Sequence, residues 1–274
     1  MAPILAARTV TKSFAAGRGA PVVAVQDLSL DVDEGELVCL LGASGCGKST
    51  ILNMFAGFAA PDSGELLLRG SPIRGIEPRC GVVFQSYALF PWKTVRGNVA
   101  FGPRMQGLSS AECRRRTDHF IRMVNLAGFE DHYPAELSGG MQQRVTLARC
   151  LAADPEVLLM DEPFAALDAM TRQVMQEELL RIHVESGKTI LFITHSLDEA
   201  LILADRIIVL SARPGRVKAV IANHLPVPRG IPVQLSPEYA ALKARVWAEV
   251  ESEVRRHADQ LVPESRKNVE ARFP

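Results

Sequence analysis

Charge of a single sign is the first thing this sequence lacks, because 31 Lys and Arg residues balance 31 Asp and Glu residues over 274 positions. A neutral chain projects no overall electrostatic field toward nucleic acid, so we expect no nucleic-acid partner. Long hydrophobic runs are also missing, since the apolar runs have the length of strands and fall short of the ~20 residues that a membrane-spanning helix needs. We therefore expect a chain that is soluble by itself.

Cysteine is sparse and scattered. The five residues are Cys39, Cys46, Cys80, Cys113 and Cys150, and no two of them form a C-x-x-C pair. An odd number of cysteines without paired spacing indicates neither a disulfide framework nor a zinc site. We expect all five to be reduced thiols.

Signals of secretion and repetition are missing as well. The first ten residues, MAPILAARTV, lack the basic start and apolar core of a signal peptide, which favours residence in the cytoplasm. The chain has no internal repeat and no low-complexity tract. A hydrophobic content of 47% is ample for a packed core in one large domain or two small ones.

What the chain does contain is a phosphate-loop motif. The stretch GASGCGKST fits G-x-x-x-x-G-K-[ST] at every specified position and comprises Gly42, Ala43, Ser44, Gly45, Cys46, Gly47, Lys48, Ser49 and Thr50. An apolar run at 37–41 predicts a buried strand before it, and apolar residues on helical spacing follow it. The loop would thus place phosphates at a helix N-terminus, where unpaired N–H groups favour negative charge. The alternative is a chance match on a glycine-rich turn between a strand and a helix.

Each residue type in this loop has a physical reason. We expect Gly42, Gly45 and Gly47 to take positive φ, so that successive N–H groups point at an anion. Lys48 would reach the β and γ phosphates, and the Ser49 hydroxyl would hold Mg²⁺. Cys46 occupies a variable position, and we assign it no role beyond that of a possible oxidation-sensitive thiol.

A second stretch, LSGGMQQR, begins a predicted helix with Ser138, Gly139 and Gly140. Ordinary helix caps also contain Ser and Gly. Two consecutive glycines are costly at a helix start unless something must approach the backbone closely, so we interpret this stretch as a second anion-binding helix end.

Polar residues also follow two apolar strands. Asp161 and Glu162 end the run that begins at Val157, and His195 follows the strand 189–194 directly. Beside a phosphate loop the two carboxylates suit a Mg²⁺-linked Asp and a Glu that polarises water. In isolation they would only be polar residues leaving a sheet.

The remaining segments predict helices. The period is helical from about 95 to 151, and a basic helix there carries an arginine run at 114–116 that could bind an anionic partner, although a solvated helix face is the commoner explanation. Residues 226–232 are rich in proline and predict a linker. A final helix begins near Pro237, and its apolar stripe comprises Tyr239, Leu242, Val246, Val250 and Val254.

Taken in order, these stretches resemble the ATP-binding subunit of ABC transporters from Ile4 to about Val220. LSGGMQQR carries most of that resemblance, because many other NTPases share the phosphate loop. The resemblance implies an α/β P-loop NTPase fold with a RecA-like core sheet, an antiparallel β subdomain and an inserted α-helical subdomain at about 86–152. We place the ATPase domain at 1–225 and a short linker and helical tail at 226–274.

The resemblance also implies an ATPase that uses ATP and Mg²⁺, with a role for each matched residue. Phe14 would stack on adenine, although a core aromatic is an equally good interpretation. Ser49, Gln85 and Asp161 match the shell around Mg²⁺ and water, Glu162 the general base, and His195 the residue that contacts the γ-phosphate.

The resemblance further implies a homodimer joined through ATP. Ser138, Gly139 and Gly140 of one chain would cap the ATP that Lys48 of the other chain holds. One subunit alone cannot surround the γ-phosphate, and phosphoryl transfer depends on positioning and on charge stabilisation.

Further stretches look like the nitrate, sulfonate and taurine importer branch. They are GVVFQ (81–85), LFPW (89–92), NVAFG (98–102), EPF (162–164) and RPGRV (213–217). That branch implies two integral-membrane permease subunits, contacted near Tyr87–Val95, an external solute-binding protein, and a place at the cytoplasmic face of the plasma membrane. Trp92 lies in this segment and could equally be a local packing residue.

Taurine or an aliphatic sulfonate is the nearest solute class, and nitrate or another small solute is the alternative. Two other classes compete. An ABC protein acting on nucleic acid or the ribosome usually carries two ATPase units or long coiled coils, which this sequence lacks. A module that senses ATP without hydrolysing it is disfavoured by the presence of both Glu162 and His195.

Overall fold

The computed structural model describes residues 2–15 and 20–261, with side-chain burial described as far as residue 253. Its strands are β1 (Leu5–Phe14), β2 (Val22–Val32), β3 (Leu37–Leu41), β4 (Ser63–Leu68), β5 (Ser71–Pro72), β6 (Cys80–Val83), β7 (Val157–Asp161), β8 (Thr189–Thr194), β9 (Arg206–Leu210) and β10 (Val217–Ala222). Its α-helices are α1 (Lys48–Phe55), α2 (Val95–Val99), α3 (Phe101–Met105), α4 (Ser110–Met123), α5 (Gly139–Ala152), α6 (Ala169–Ser186), α7 (Leu197–Leu203), α8 (Ile231–Gln234) and α9 (Pro237–Leu261).

The larger sheet has the strand order β10-β9-β3-β8-β7-β6. Five of its strands are parallel, and β10 pairs antiparallel with β9 at one edge. The phosphate loop follows β3, while Glu162 and His195 follow β7 and β8. Because β3, β8 and β7 are neighbouring parallel strands, their carboxyl ends lie at the same edge of the sheet.

Burial on both faces explains why these strands are apolar at successive positions. Every residue of β3 is buried, and alternate side chains enter different hydrophobic clusters. Leu37, Cys39 and Leu41 face the cluster that includes α5, α6 and α9. Val38 and Leu40 face the cluster that includes α1 and the smaller sheet, β2-β1-β4-β5, whose strand pairs are antiparallel.

Helices α2 to α5 occupy the region where the sequence predicts an inserted helical subdomain. Helix α5 contacts α2 and α4, and it also packs against β6 and α6. Buried residues such as Val145 and Leu151 belong to the same cluster as the core sheet. The last helix of the insert therefore ties the insert to the sheet that carries the phosphate loop.

The segment predicted as a linker packs against the body of the domain. Arg229 within it is 3% exposed, donates to the carbonyl of Leu203 at 3.0 Å and reaches Asp205 at 3.3 Å. The buried face of α9 includes Tyr239, Val246 and Val250, which belong to the cluster of the core sheet. The predicted apolar stripe thus packs on the core sheet, while the side chain of Val254 and residues 262–274 lie outside the described part.

Within residues 2–15 and 20–261, none of the helices combines the length and apolar character needed to span a bilayer.

Candidate nucleotide-binding site

The phosphate loop owes its shape to glycines in two different ways. Gly45 and Gly47 take positive φ of 78° and 100°, as predicted, and a Cβ on Gly47 would lie 2.6 Å from the Ala24 carbonyl oxygen. The prediction for Gly42 is wrong, because its φ is not positive. A Cβ there would lie 2.8 Å from Cys46 Sγ, so close packing beneath the loop requires this glycine.

Lys48 begins α1 and turns its ammonium back over the loop. Its Nζ donates to the carbonyl oxygens of Gly42 at 2.8 Å and Ala43 at 3.0 Å. The Nζ also lies 3.9 Å from Glu162 Oε1, and the residue is only 5% exposed. Its positive charge is thus fixed between the phosphate loop and the end of β7.

Ser49 and Asp161 converge on one point of the site. The Ser49 hydroxyl donates to Asp161 Oδ1 at 3.1 Å. Burial raises the pKa of Asp161, and the Ser49 hydrogen bond offsets part of that shift. A hydroxyl and a carboxylate side by side are hard oxygen donors of the kind that Mg²⁺ prefers, so the donor set fits this ion.

Glu162 has a strained backbone, with φ at +44°. Such a conformation costs about 1–3 kcal/mol for a residue with a side chain and persists only where its surroundings hold it. Its N–H donates to the Ile193 carbonyl at 3.0 Å, and its Oε2 lies 2.9 Å from His195 Nδ1. The carboxylate is thereby held between the Lys48 ammonium and the His195 ring, which is 54% exposed.

These groups share a cleft of about 610 Å³. Its lining includes Phe14, Ser44, Gly45, Gly47, Lys48, Ser49, Thr50, Gln85, Asp161, Glu162 and Arg213. Phe14 is 47% exposed at the rim, which argues against its alternative interpretation as a core aromatic. Gly42, Ala43 and Cys46 of the loop do not line the cleft, and His195 reaches it through Glu162.

Cys46 differs from what we expected of a reactive thiol. It is 1% exposed, and burial raises the pKa of its thiol. A buried thiol that stays protonated is a poor nucleophile, so the structure argues against oxidation sensitivity. Cys46 packs beneath the loop.

Arg213 is a lining residue to which the sequence analysis assigned no site role. Its Nε donates to the Gly45 carbonyl oxygen at 3.3 Å. The neighbouring Gly215 is pressed against the loop, because a Cβ there would lie 2.2 Å from the Cys46 carbonyl oxygen. The signal was present in the RPGRV stretch, but nothing local predicts that this turn folds back onto the phosphate loop.

The LSGGMQQR stretch lies apart from this cleft. Ser138 caps α5 by accepting from the Met141 N–H at 3.3 Å. Ser138 and Gly140 line a separate cavity of about 370 Å³ together with Arg144 and Thr171. The chain therefore does not bring Ser138 into the cleft that contains Lys48.

Contacts within the chain explain part of the glycine pair. A Cβ on Gly139 would lie 2.9 Å from Tyr87 Oη, and one on Gly140 would lie 2.7 Å from Thr171 Cγ2. The inference that glycine here admits an external ligand therefore has an intramolecular explanation beside it. Both side chains that approach the glycines stand at the border between the insert and the core.

The segment after Gln85 is held in place and partly exposed. Asn98 is fully buried, and its amide donates to the carbonyls of Lys93 at 3.0 Å and Thr94 at 3.1 Å while its Oδ1 accepts from the Phe90 N–H at 2.9 Å. Trp92 is 71% exposed and contacts Phe90, with 5.7 Å between ring centroids. The backbone of residues 90–94 is thus held by the buried Asn98 side chain, while the Trp92 indole is exposed to solvent.

Comparison with known proteins places the whole arrangement in a family. The family model described as ABC transporter matches residues 25–165. The Taurine import ATP-binding protein of Roseobacter denitrificans is 53% identical over 213 residues, which cover 78% of this chain and 80% of that protein.

Two solved structures of ATP-binding cassette proteins are similar to this chain. A dimeric post-hydrolysis state of the ATP-binding cassette MJ0796 bound to ADP and Pi has a TM-score of 0.69 at 32% identity and covers 83% of this chain and 100% of that one. The cbiO1 protein of Clostridium perfringens, part of the transporter complex cbiONQ, has a TM-score of 0.74 at 27% identity and covers 98% of this chain and 100% of that one. The predicted α/β P-loop fold is confirmed. This chain is an ATPase and belongs to the ABC transporter family, as an ATP-binding subunit of the taurine-type importer group.

Proposed function

We propose that this ATPase energises the import of a small anionic or zwitterionic solute, with taurine or an aliphatic sulfonate first and nitrate as the alternative. The observation that supports ATP-driven work is the convergence of Lys48, Ser49, Asp161 and Glu162 on one cleft. The solute class is supported by the relative named for taurine import at 53% identity.

In this proposal ATP occupies the 610 Å³ cleft. Phe14 stacks on the adenine from the rim, where its ring is 47% exposed and the Lys12 Nζ lies 5.7 Å from the ring centroid. The backbone N–H groups of Gly42–Thr50 surround the phosphates, which is the arrangement that a loop leading into a helix N-terminus favours. The Lys48 ammonium exchanges its carbonyl partners for phosphate oxygens, a stronger charge-assisted hydrogen bond.

Ser49, Gln85 and Asp161 would hold Mg²⁺, which when bound neutralises charge on the phosphates. Within the described residues there is no cluster of three His, Cys, Asp or Glu that could hold a metal alone. This suits Mg²⁺, which is usually bound by one or two carboxylates together with substrate phosphates.

Glu162 is the proposed general base, because its carboxylate is positioned by His195 and faces the ammonium that would hold the γ-phosphate. It would take a proton from the attacking water. A His195 Nδ1 that donates to Glu162 leaves Nε2 for the phosphate, and Nε2 donates only when the ring carries both protons. One imidazole would thus link the base to the γ-phosphate.

A second copy of the chain completes the proposed site. Ser138, Gly139 and Gly140 line or border a cavity separate from the Lys48 cleft, so they would cap ATP held by the partner. The dimeric structures of a related cassette support this arrangement.

The membrane side of the proposal rests on Tyr87–Val95. This segment would contact two permease subunits at the cytoplasmic face of the plasma membrane, and an external solute-binding protein would deliver the solute. An exposed Trp92 on a segment anchored by the buried Asn98 supports a docking role. We propose no nucleic-acid partner.

Reconstitution with the permease and solute-binding protein tests the proposal. Trp92→Ala should leave ATP turnover of the free subunit within about twofold and lower uptake of labelled taurine about tenfold or more, because buried aromatic anchors dominate protein interfaces. The matched control is Trp247→Ala, the other tryptophan, which is 48% exposed on α9.

Each outcome has a distinct meaning. Equal loss of turnover and uptake in Trp92→Ala would place this residue in the core packing and contradict the docking role. Uptake of nitrate but not of taurine would identify nitrate as the transported solute and leave the ATPase assignment intact. No uptake of any small solute by a coupled, hydrolysing complex would contradict the importer function.

A further inference from the structure

We propose that the helical insert binds a phosphate-class anion in a cleft of about 430 Å³ between α2, α3 and the first turns of α4. The lining residues that argue for this are Arg96, Arg104, Ser110, Cys113, Arg114 and Thr117. None of them lines the nucleotide cleft or the Ser138 cavity. The site is therefore separate from the ATPase machinery, and the inference does not depend on which solute is transported.

Positive charge is in excess around this cleft. Arg96, Arg104 and Arg114 come from three successive helices. Arg96 Nη1 and Arg114 Nε both contact the same carboxylate, that of Asp118, the second at 3.9 Å. Within residues 2–15 and 20–253, Arg104 makes no ion pair. One carboxylate thus pairs with two of the three guanidinium groups that line the cleft.

The other nearby carboxylate is engaged elsewhere. Glu112 pairs with Arg115 at 2.7 Å and lies 4.0 Å from Arg116. These two arginines do not line the cleft. The arginine run of α4 is therefore divided, with Arg114 at the cleft and its two neighbours beside Glu112, although Arg114 and Arg115 are both largely exposed to solvent.

A buried hydroxyl without a partner belongs to one of the residues that line the cleft. Thr117 is 1% exposed and lines the cleft, yet its Oγ1 has no hydrogen-bond partner in the described part of the chain. A helical threonine commonly donates to the carbonyl four residues earlier, here that of Cys113, and Thr117 does not. An unsatisfied buried hydroxyl is destabilising, and a rotation of the Thr117 side chain toward the cleft would let an anion oxygen satisfy it.

The start of α4 adds to the same field. Ser109 caps this 14-residue helix by accepting from the Glu112 N–H at 3.3 Å, and Ser110 in its first turn lines the cleft. Helix N-termini favour negative charge. Guanidinium groups pair with carboxylate and phosphate oxygens alike, and the larger number of oxygens on a phosphate group suits a set of three arginines.

A phosphate group can come from a small phosphorylated solute or from a lipid headgroup. The first experiment titrates the full-length, ADP-saturated chain with inorganic phosphate and follows amide resonances by NMR. We expect the amides of Cys113 and Thr117 to shift as a saturable set, distinct from any shift at Gly45 and Gly47 of the nucleotide cleft.

Three variants sharpen the result. Thr117→Val and Arg114→Gln should each weaken phosphate binding about tenfold, the loss expected for one hydrogen bond to a charged group. Arg115→Gln is the matched control, because Arg115 is as exposed as Arg114 on the same helix but does not line the cleft. Thr117→Val should not lower the melting temperature in phosphate-free buffer, which separates a binding role from a structural one.

The second experiment measures binding to phosphatidylcholine vesicles with and without phosphatidylglycerol. Loss of both phosphate and anionic-vesicle binding in Arg114→Gln identifies a lipid headgroup as the source, and loss of phosphate binding alone identifies a free phosphate group. The proposal is overturned by an Arg115→Gln effect as large as that of Arg114→Gln, by phosphate shifts confined to Gly45 and Gly47, or by no binding in either assay.

Discussion

The Lys48 cleft and the Ser138 cavity, which we propose as the two halves of a nucleotide site, are built from different chemistry. Lys48, Asp161, Glu162 and Arg213 give the first cleft four charged side chains. Arg144 is the one charged side chain among the described residues that line the second. Beside Ser138, Met170 is 83% exposed. The contrast indicates that reactive groups are concentrated in one half, while the other half presents a helix end and an apolar surface suited to cover it.

Glu162→Gln tests the reactive half and should have the largest effect. The substitution keeps the shape of the side chain and removes its basicity, so we expect kcat to fall by about 10²–10⁴, the range attributed to general bases. ATP binding should persist, because the Lys48 and Ser49 contacts do not require Glu162. Phosphate release measures turnover, and light scattering should detect an ATP-trapped dimer.

Glu238→Gln, at an exposed position in the first turn of α9, is the control for that experiment and should retain normal turnover. Normal hydrolysis by Glu162→Gln would show that another group takes the proton. The contrast between the two halves would then lose its chemical basis.

Mixing two inactive chains tests whether the halves meet across a dimer. Lys48→Ala removes one half and Ser138→Arg blocks the other, so each homodimer should be inactive. A 1:1 mixture forms heterodimers with one intact composite site, and it should recover at most about a quarter of wild-type turnover because only half of the dimers are mixed and each has one good site.

The two inactive chains measured separately, at the total concentration of the mixture, provide the control for recovery. No recovery, with heterodimers verified by mass spectrometry, would contradict the proposed trans arrangement. Recovery would establish the trans arrangement directly.

The sequence predicts well those parts of the site that depend on residues close together in the chain. The strand 189–194 and the start of α1 follow from apolar runs and the phosphate-loop pattern, because both depend on residues close in sequence. The Gly42 error has a local cause too. The motif specifies glycine at position 42, but it does not say whether a positive φ or close packing is the reason. The close approach of Cys46 Sγ in the structure shows that the reason is packing.

Long-range contacts are what the sequence leaves out. Arg213 reaches Gly45 across 168 positions, and the Glu162 carboxylate meets His195 across 33. Periodicity contains no information on which turn folds against which loop. The arginine run shows the same limit, since only the packing of α2 and α3 on α4 separates Arg114 from Arg115.

Asp161→Asn measures what the reactive half costs in stability. Because burial raises the pKa of Asp161, the protonated form stabilises the fold at low pH, and that contribution is lost as pH rises through the raised pKa. Asparagine is neutral throughout, so at pH 7 the nucleotide-free variant should melt at the same temperature or up to about 2–4 °C higher, while Mg²⁺-dependent turnover is lost.

Thermal melts of both proteins between pH 4 and pH 7 check the sign. The difference should shrink toward low pH, where wild-type Asp161 takes up its proton. A variant that is less stable at pH 7 would mean that the Ser49 hydrogen bond outweighs the burial of the carboxylate.

The smallest expected effect concerns the reactivity of Cys46, the buried cysteine of the phosphate loop. Cys46 lies in the loop that would hold phosphate, yet it is buried, and burial raises the pKa of its thiol. Iodoacetamide at pH 8 should therefore modify Cys46 slowly in the native protein and quickly after unfolding in guanidinium, as judged by mass spectrometry of the peptide. Cys80 and Cys150, whose thiol pKa burial raises to about 12, provide buried references in the same digest. Faster native labelling of Cys46 than of these two would mean that the phosphate loop opens on the labelling timescale. The accessibility of the Lys48 cleft and of the exposed Ser138 cavity would then differ less than the static contacts indicate.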